Sequence, residues 1–338
     1  MAAARNQRDF DDIQLSPRSL INIEGRSLQH EFLGKTWGMP FGIAPMGMCN
    51  LSWPHADQFL GEAARQNEIP LACSTMASSS LEKISNWAGQ NAWFQLYISG
   101  AVEQGFELVD RAEKSGYQTL ILTVDVPEVA QRRRDLKNGF KVPFRIGPKQ
   151  FLDFALHPFW SLSTLKAGAP ETENTLAKPG EKAFDRYAGR GAIDWQFLQQ
   201  LRDRWSGNLL IKGVMHPDDA LKVKSMAADG IYVSNHGGRQ LDSAPSSINL
   251  LSQIRQAVGQ DYPLVLDSGV RSGEDIVRAL ASGADFVMLG RPFLYAIAAN
   301  QRAGLDQIIE LLKKETLVCM AQIGVNTVAE IGQHNIVQ

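Results

Sequence analysis

His236 stands three residues before Arg239 in the segment SNHGGRQLD, 234–242. An imidazole titrates near neutrality, so it can take a proton from a hydroxyl or from an acidified carbon. A guanidinium offers a planar fork that matches a carboxylate. The glycines between them let the chain turn sharply and approach a ligand. The set suits proton removal from a small carboxylic acid; the plainer alternative is an ordinary polar turn. In DSGVRSGEDIVRALASGADFVMLGR, 267–291, glycine turns with Arg271 and Arg291 precede helix-period stretches. Backbone N–H groups at Gly269 and Gly290, with those arginines, can hold a phosphate; the alternative is turns that serve packing. In LTVDVPEVAQRRRDLKN, 122–138, Asp125 ends an apolar run and could orient a protonated histidine. Most of the run Arg132-Arg133-Arg134 reads as a solvated charged face. Lys212 interrupts the apolar run LLIKGV, 209–214. A lysine is rare there unless paired or functional, which leaves Schiff-base chemistry, stabilisation of an anionic ring and a structural salt bridge open.

These residues need elements to carry them. Short apolar or β-branched runs occur at 41–45, 69–75, 93–98, 119–125, 209–214, 230–235, 264–269 and 286–291, with helix-period stretches such as 56–67, 103–115, 217–228 and 273–282 between them. Near-continuous apolar strands alternating with amphipathic helices predict parallel strands covered by helices. Eight such units predict an α/β fold, a closed (β/α)8 TIM barrel. A doubly wound sheet is the alternative, and the absence of GxGxxG after the first run weighs against it. Residues 1–338 read as a single domain, with a Pro- and Gly-rich insertion or lid at 140–190 after the fourth strand. In such barrels catalytic groups lie at the C-terminal strand ends. Those ends here carry Pro45, Met46 and Gly47, then Ser74, Gln95 with Tyr97, and Thr123 with Asp125. They continue with Lys212, Ser234 with His236, Asp267, and Gly290 with Arg291. That many polar groups exceed what a barrel needs to stand.

Composition excludes several classes. A net charge of −2 on 338 residues gives no electrostatic case for nucleic acid. No apolar run reaches the roughly 18 residues of a membrane span, and the polar opening Met1 to Phe10 lacks a signal-peptide core. A cytoplasmic enzyme is expected. Cys49, Cys73 and Cys319 are scattered without metal-ligand spacing and read as buried thiols, so no metal is expected.

The motifs APMG, FQLY, TVD, KG, SNHGGRQLD, DSGVR and GR, in this order from about Phe10 onward, closely resemble the FMN-dependent α-hydroxy-acid oxidase and dehydrogenase family. The resemblance implies FMN across the barrel mouth, with Pro45, Met46 and Gly47 facing the ring and Ser74, Gln95, Thr123 and Ser234 hydrogen-bonding it. It places the phosphate on Asp267, Ser268, Gly269 and Arg271 with Gly290 and Arg291. It casts Lys212 as the cation that stabilises charge on the reduced ring. Arg132 and Arg239 resemble the substrate-carboxylate arginines, Tyr97 the tyrosine that binds the substrate oxygen, and His236 the base, with Asp125 stabilising its imidazolium. A homotetramer is implied.

Within the family, SLQHEFLGK (27–35), LHPFWSL (156–162) and DSG look most like the mandelate and bacterial L-lactate dehydrogenases. The implied reaction is oxidation of a small L-2-hydroxy acid to the 2-keto acid, with electrons passed to quinone or another carrier; oxygen is the competing acceptor. The run FLDFALHPFWSL, 151–162, reads either as a packed lid helix or as a peripheral contact on the inner face of the plasma membrane. The family also carries a carboxylate-binding tyrosine in an N-terminal segment, and residues 1–40 contain none. Either the start is truncated or carboxylate binding leans on the two arginines, and the missing segment would also leave one barrel end less covered. Met76 stands where glycolate oxidases carry a tryptophan, which suggests room for a substrate side chain. Two other outcomes stay open: a flavin barrel of another class, such as an isoprenoid diphosphate isomerase, and a flavin-binding chain with impaired or no catalysis.

Overall fold

The computed structural model describes residues 1–98, 102–130, 139, 147–176 and 193–337. Eight parallel strands close into a barrel: β3 (Phe41–Met46), β4 (Leu71–Ser74), β5 (Ala92–Leu96), β6 (Thr119–Thr123), β7 (Asn208–Lys212), β8 (Gly230–Val233), β9 (Leu264–Leu266) and β10 (Phe286–Leu289). Each pairs with its sequence neighbour, and β10 closes on β3 through Val287 opposite Phe41 and Leu289 opposite Ile43. The predicted strands coincide with the observed ones to within a few residues.

Both faces of these strands are apolar because both are covered. The inward face fills the barrel with Trp93, Ile121, Leu210, Tyr232, Val265 and Phe286, while the small Ala44 and Ala72 make room for the rings. The outward face, with Ile43, Phe94, Leu122, Ile211 and Val233, packs on the surrounding helices.

Two features lie outside the expected pattern. A hairpin of β1 (His30–Phe32) and β2 (Lys35–Trp37) seals the barrel end opposite the site. Its Phe32 and Trp37 join the inner core, with Phe32 stacked on Phe286 at a ring separation of 5.0 Å. A helix α1 (Ala2–Asp11) lies against the segment that follows β8. Its buried positions Ala2, Asn6, Asp9 and Phe10 make one stripe at helical spacing. Helix α1 thus covers the rim near 235–249.

The insertion contributes two described helices, Pro148–Leu156 and Pro158–Ala167. Proline at the first turn of each fits a helix start, where its missing N–H is not needed. The second helix buries no residue. Cys49, Cys73 and Cys319 are free and buried, as read.

His30 allows a pH test of the hairpin. Burial lowers its pKa from the ordinary 6.5, outweighing the hydrogen bond to the Asp285 carbonyl and the nearby Asp285 and Glu31 charges. The unfolded chain therefore binds more protons just below that value. The stability from neutral His30 is complete above pH 6.5 and falls as pH drops through the folded pKa. Melting temperatures across this range should show that loss, and His30→Gln should flatten it.

Candidate active site

The barrel delivers the polar strand ends to one rim. Register puts Ser74 opposite Gln95 and Thr123 opposite Lys212, so these groups stand at one level. Above them opens a cavity of about 440 Å³, within the range of ligand sites. Of the sequence-predicted residues, Pro45, Met46, Gly47, Ser74, Tyr97, Thr123, Lys212, His236 and Arg239 line it. So do Asp267, Ser268, Gly269, Arg271, Gly290 and Arg291. Gln95 is buried behind Ser74, whose hydroxyl donates to Gln95 Oε1 at 2.9 Å. Ser234 lies beneath Lys212, and Asp125 behind His236. Arg132 lies outside the described residues.

The centre of the site is a line of three side chains. Asp125 accepts from His236 Nδ1 at 3.0 and 3.1 Å, and Tyr97 Oη lies 3.1 Å from His236 Nε2. Because the carboxylate takes the Nδ1–H, Nε2 presents its lone pair to Tyr97 and the cavity. Burial works to raise the Asp125 pKa, but the His236 charge and hydrogen bond, with Lys212 adding, hold it below the usual carboxylate value. Asp125 therefore stays ionised through the neutral range. His236 itself sits in left-handed backbone at φ 59°, a conformation that costs a non-glycine residue on the order of 1 kcal/mol and needs support. Part of that support is its own N–H, which donates to Ser234 Oγ at 3.0 Å. Gly213 makes room for the pair: at φ 100°, a Cβ there would meet Asp125 Cβ at 2.5 Å.

Lys212 is buried at 4 % exposure. Its ammonium donates to Ser234 Oγ at 2.7 Å, pairs with Asp267 Oδ2 at 3.2 Å, and lies 4.9 Å from the Tyr232 ring centre. It is thus both structurally paired and present on the cavity floor. The other Asp267 oxygen takes the Ser268 hydroxyl at 2.7 Å. Asp267 therefore serves as a counter-charge, and an anion nearby would be met by backbone and arginines instead.

Across the cavity, the turn at Ser268 and Gly269 has φ of 77° and 115° and stands beside Arg271 and Arg291. Burial, and then the Arg291 charge, push the Arg271 pKa down. Two close guanidinium groups repel, and a phosphate bound beside them would relieve the repulsion. Two buried polar atoms at the rim, Gln95 Nε2 and Thr123 Oγ1, have no hydrogen-bond partner among the described residues. Buried donors are rarely left so unless a ligand meets them. A ring edged with carbonyl and imine acceptors, carrying a phosphate at the far end, fits this set.

Reading the sequence missed the apolar wall of Met48, Leu51, Val126 and Val129, which joins Met76. Such residues carry no chemical signature and are visible only once the loops fold over the rim. Gln240, whose side-chain amide donates to the Asp125 carbonyl at 3.0 Å, was also missed although it sits inside a quoted motif.

The family model for FMN-dependent dehydrogenase matches residues 1–338. The chain belongs to the FMN-dependent dehydrogenase family. It is 40% identical over 327 residues to (S)-mandelate dehydrogenase of Pseudomonas putida, covering 95% of this chain and 82% of that protein. It is 36% identical to L-lactate dehydrogenase of Xanthobacter autotrophicus, covering 99% and 88% respectively. Among solved structures, one described as the monotopic membrane protein (S)-mandelate dehydrogenase superposes with a TM-score of 0.92 at 36% identity, over 99% of this chain and 91% of that one. FMN is the cofactor, and the protein is an oxidoreductase acting on α-hydroxy acids. The (β/α)8 barrel expected from the strand pattern is the observed fold.

The orphaned donors make a test. Thr123→Val should weaken FMN binding by about tenfold, the value of roughly one hydrogen bond. It should not lower the melting temperature of the FMN-free protein, because among the described residues the Thr123 hydroxyl has no partner to lose. Fluorescence titration with FMN and a melting curve check both halves.

Proposed function

We propose that the protein oxidises a small L-2-hydroxy acid with an aryl-sized side chain, mandelate-like, to the 2-keto acid, and passes the electrons to a quinone or similar carrier. The observation that carries this reading is the Asp125–His236–Tyr97 line facing a cavity that holds Arg239 on its rim and an apolar wall. Ser74, Gln95, Thr123, Ser234 and the 268–271 turn with Arg291 would hold FMN, which would supply the acceptor for the α-hydrogen and its two electrons. Pro45, Met46, Gly47 and Gly290 border that space. The chain's own groups do the rest. Arg239 binds the carboxylate, Tyr97 donates to the substrate oxygen, and His236 Nε2 takes the hydroxyl proton. Asp125 stabilises the imidazolium that results. Lys212 provides fixed positive charge on the cavity floor.

Met48, Leu51, Met76, Val126 and Val129 favour a phenyl over a methyl side chain, since burial gains roughly 25 cal/mol per Å² of apolar surface. The L-lactate dehydrogenases among the relatives favour lactate as the second reading. The mandelate oxidase fold neighbours, such as one described with (S)-2-phenylpropionate at TM-score 0.81 and 30% identity, keep oxygen as the second acceptor.

The insertion helices support peripheral membrane binding. Phe151, Leu156, Phe159, Leu162 and Leu165 are 66–83% exposed, a concentration of apolar surface that soluble faces rarely carry. Among the described residues, no helix is long and apolar enough to cross a bilayer. The mandelate dehydrogenase of similar fold is described as monotopic. Sedimentation with lipid vesicles should capture the protein, and Phe159→Ser with Leu162→Ser should release it.

The deciding experiment mixes the yellow protein anaerobically with mandelate, lactate and glycolate. Bleaching with mandelate fastest supports the reading; no bleaching by any of them sinks it. Re-oxidation by a quinone analogue faster than by air decides the acceptor. His236→Ala should keep FMN while bleaching slows by about 10²–10⁴-fold. Arg239→Met should raise KM by about tenfold to a hundredfold, the loss of one charge-assisted contact. An unchanged KM would remove Arg239 from carboxylate binding.

A further inference from the structure

His236 is held by a residue from the other end of the chain. Asn235, its neighbour, is buried, and its amide is saturated. Asn235 Nδ2 donates to Asn6 Oδ1 at 2.6 Å and to the Pro245 carbonyl at 3.0 Å. Asn235 Oδ1 accepts from Asn6 Nδ2 at 2.7 Å and from the Gly238 N–H at 3.0 Å. The Gly238 N–H also reaches the Asn235 carbonyl at 3.0 Å. The turn 235–238, with the left-handed His236 inside it, is thus closed by one side chain, half of whose hydrogen bonds come from Asn6. Asn6 is fully buried. A polar residue on the buried stripe of a helix needs a reason, and the reciprocal amide pair supplies it.

The rest of α1 follows the same seam. Asp9 accepts from Ser246 Oγ at 2.6 Å and Asn249 Nδ2 at 2.7 Å, and Arg5 donates to the Ala244 carbonyl at 2.5 Å. A Cβ on Gly238 would collide with the Ala3 backbone, and one on Gly269 with the Asn6 carbonyl. The helix backbone therefore abuts the phosphate-side turn while its Asn6 side chain grips the histidine turn.

We propose that Asn6 is a positioning residue for the reaction, acting through Asn235 to hold His236 in its left-handed, Asp125-facing pose. The proposal rests on His236 being the base. It divides the labour of one residue: the side chain serves the histidine, the main chain serves the phosphate turn. Asn6→Ala should therefore keep FMN affinity and substrate KM near wild type while anaerobic bleaching at saturating mandelate slows by about tenfold to a hundredfold, the scale of a displaced reacting group. Asn6→Asp keeps volume and the acceptor for Asn235 Nδ2 but loses the donor, so it should fold and show a smaller slowing. Asp9→Asn loosens the same helix away from Asn235 and should lower the melting temperature with the bleaching rate unchanged.

Bleaching at the wild-type rate in Asn6→Asp, or equal slowing in the Asn6 and Asp9 variants, would overturn the proposal. His236→Ala, measured alongside, separates the two readings. Normal bleaching there removes the base itself; slow bleaching there with unaffected Asn6 variants removes only the clamp.

Discussion

The buried ionised carboxylate of Asp125 is the constraint on which the site depends. A carboxylate out of water must be compensated, or it takes up a proton. Here the compensation comes from His236 and the Lys212 charge. Once Asp125 is fixed as an anion, only one imidazole tautomer satisfies it, and the other nitrogen faces the cavity. Lys212 is in turn balanced by Asp267, which is tied to Ser268 at the phosphate-side turn. Charge therefore alternates around the rim, and removing one member leaves its neighbour buried and unmatched, which costs more than the pair contributes.

Closure of the sheet makes such a chain of charges feasible. Asp125 and His236 are far apart in sequence, yet parallel strands all end at one rim, so residues just past β6 and β8 meet. The barrel interior below is buried and largely apolar, from Trp93 to Phe286. That low-dielectric floor strengthens every interaction above it. The hairpin at the opposite end completes the seal. Its Phe32 and Trp37 do for the bottom what the loops do for the mouth.

How much could be read from the sequence follows from what each element buries. The eight strands were legible because double-sided burial leaves uninterrupted apolar runs, and the rim residues were legible because polar groups end those runs. The hairpin was not, since three-residue strands are too short to show alternation. Helix α1 was hidden for a different reason: its buried stripe includes Asn6 and Asp9, so its pattern looks polar where it is core-facing. Asn235 was in plain view inside a quoted motif, but its importance depends on a partner at the far end of the chain. The apolar wall of the cavity was invisible because Met48, Leu51 and Val126 differ from core residues only in where the loops carry them.

The position of the insertion joins the last two parts of the functional reading. It leaves the barrel after β6, at the strand ends that carry the cavity. The loop after β3 links them: Met48 and Leu51 line the cavity, while Ser52 and Trp53 border a groove against Phe154, Phe159 and Trp160 of the insertion. A water-soluble acceptor would gain nothing from such a neighbourhood. A lipophilic carrier partitions into the surface that the exposed helices would occupy, and so reaches the mouth without crossing water. On the proposed reading, the same apolar residues that make the insertion poorly suited to solvent would favour a membrane carrier over oxygen as the electron acceptor.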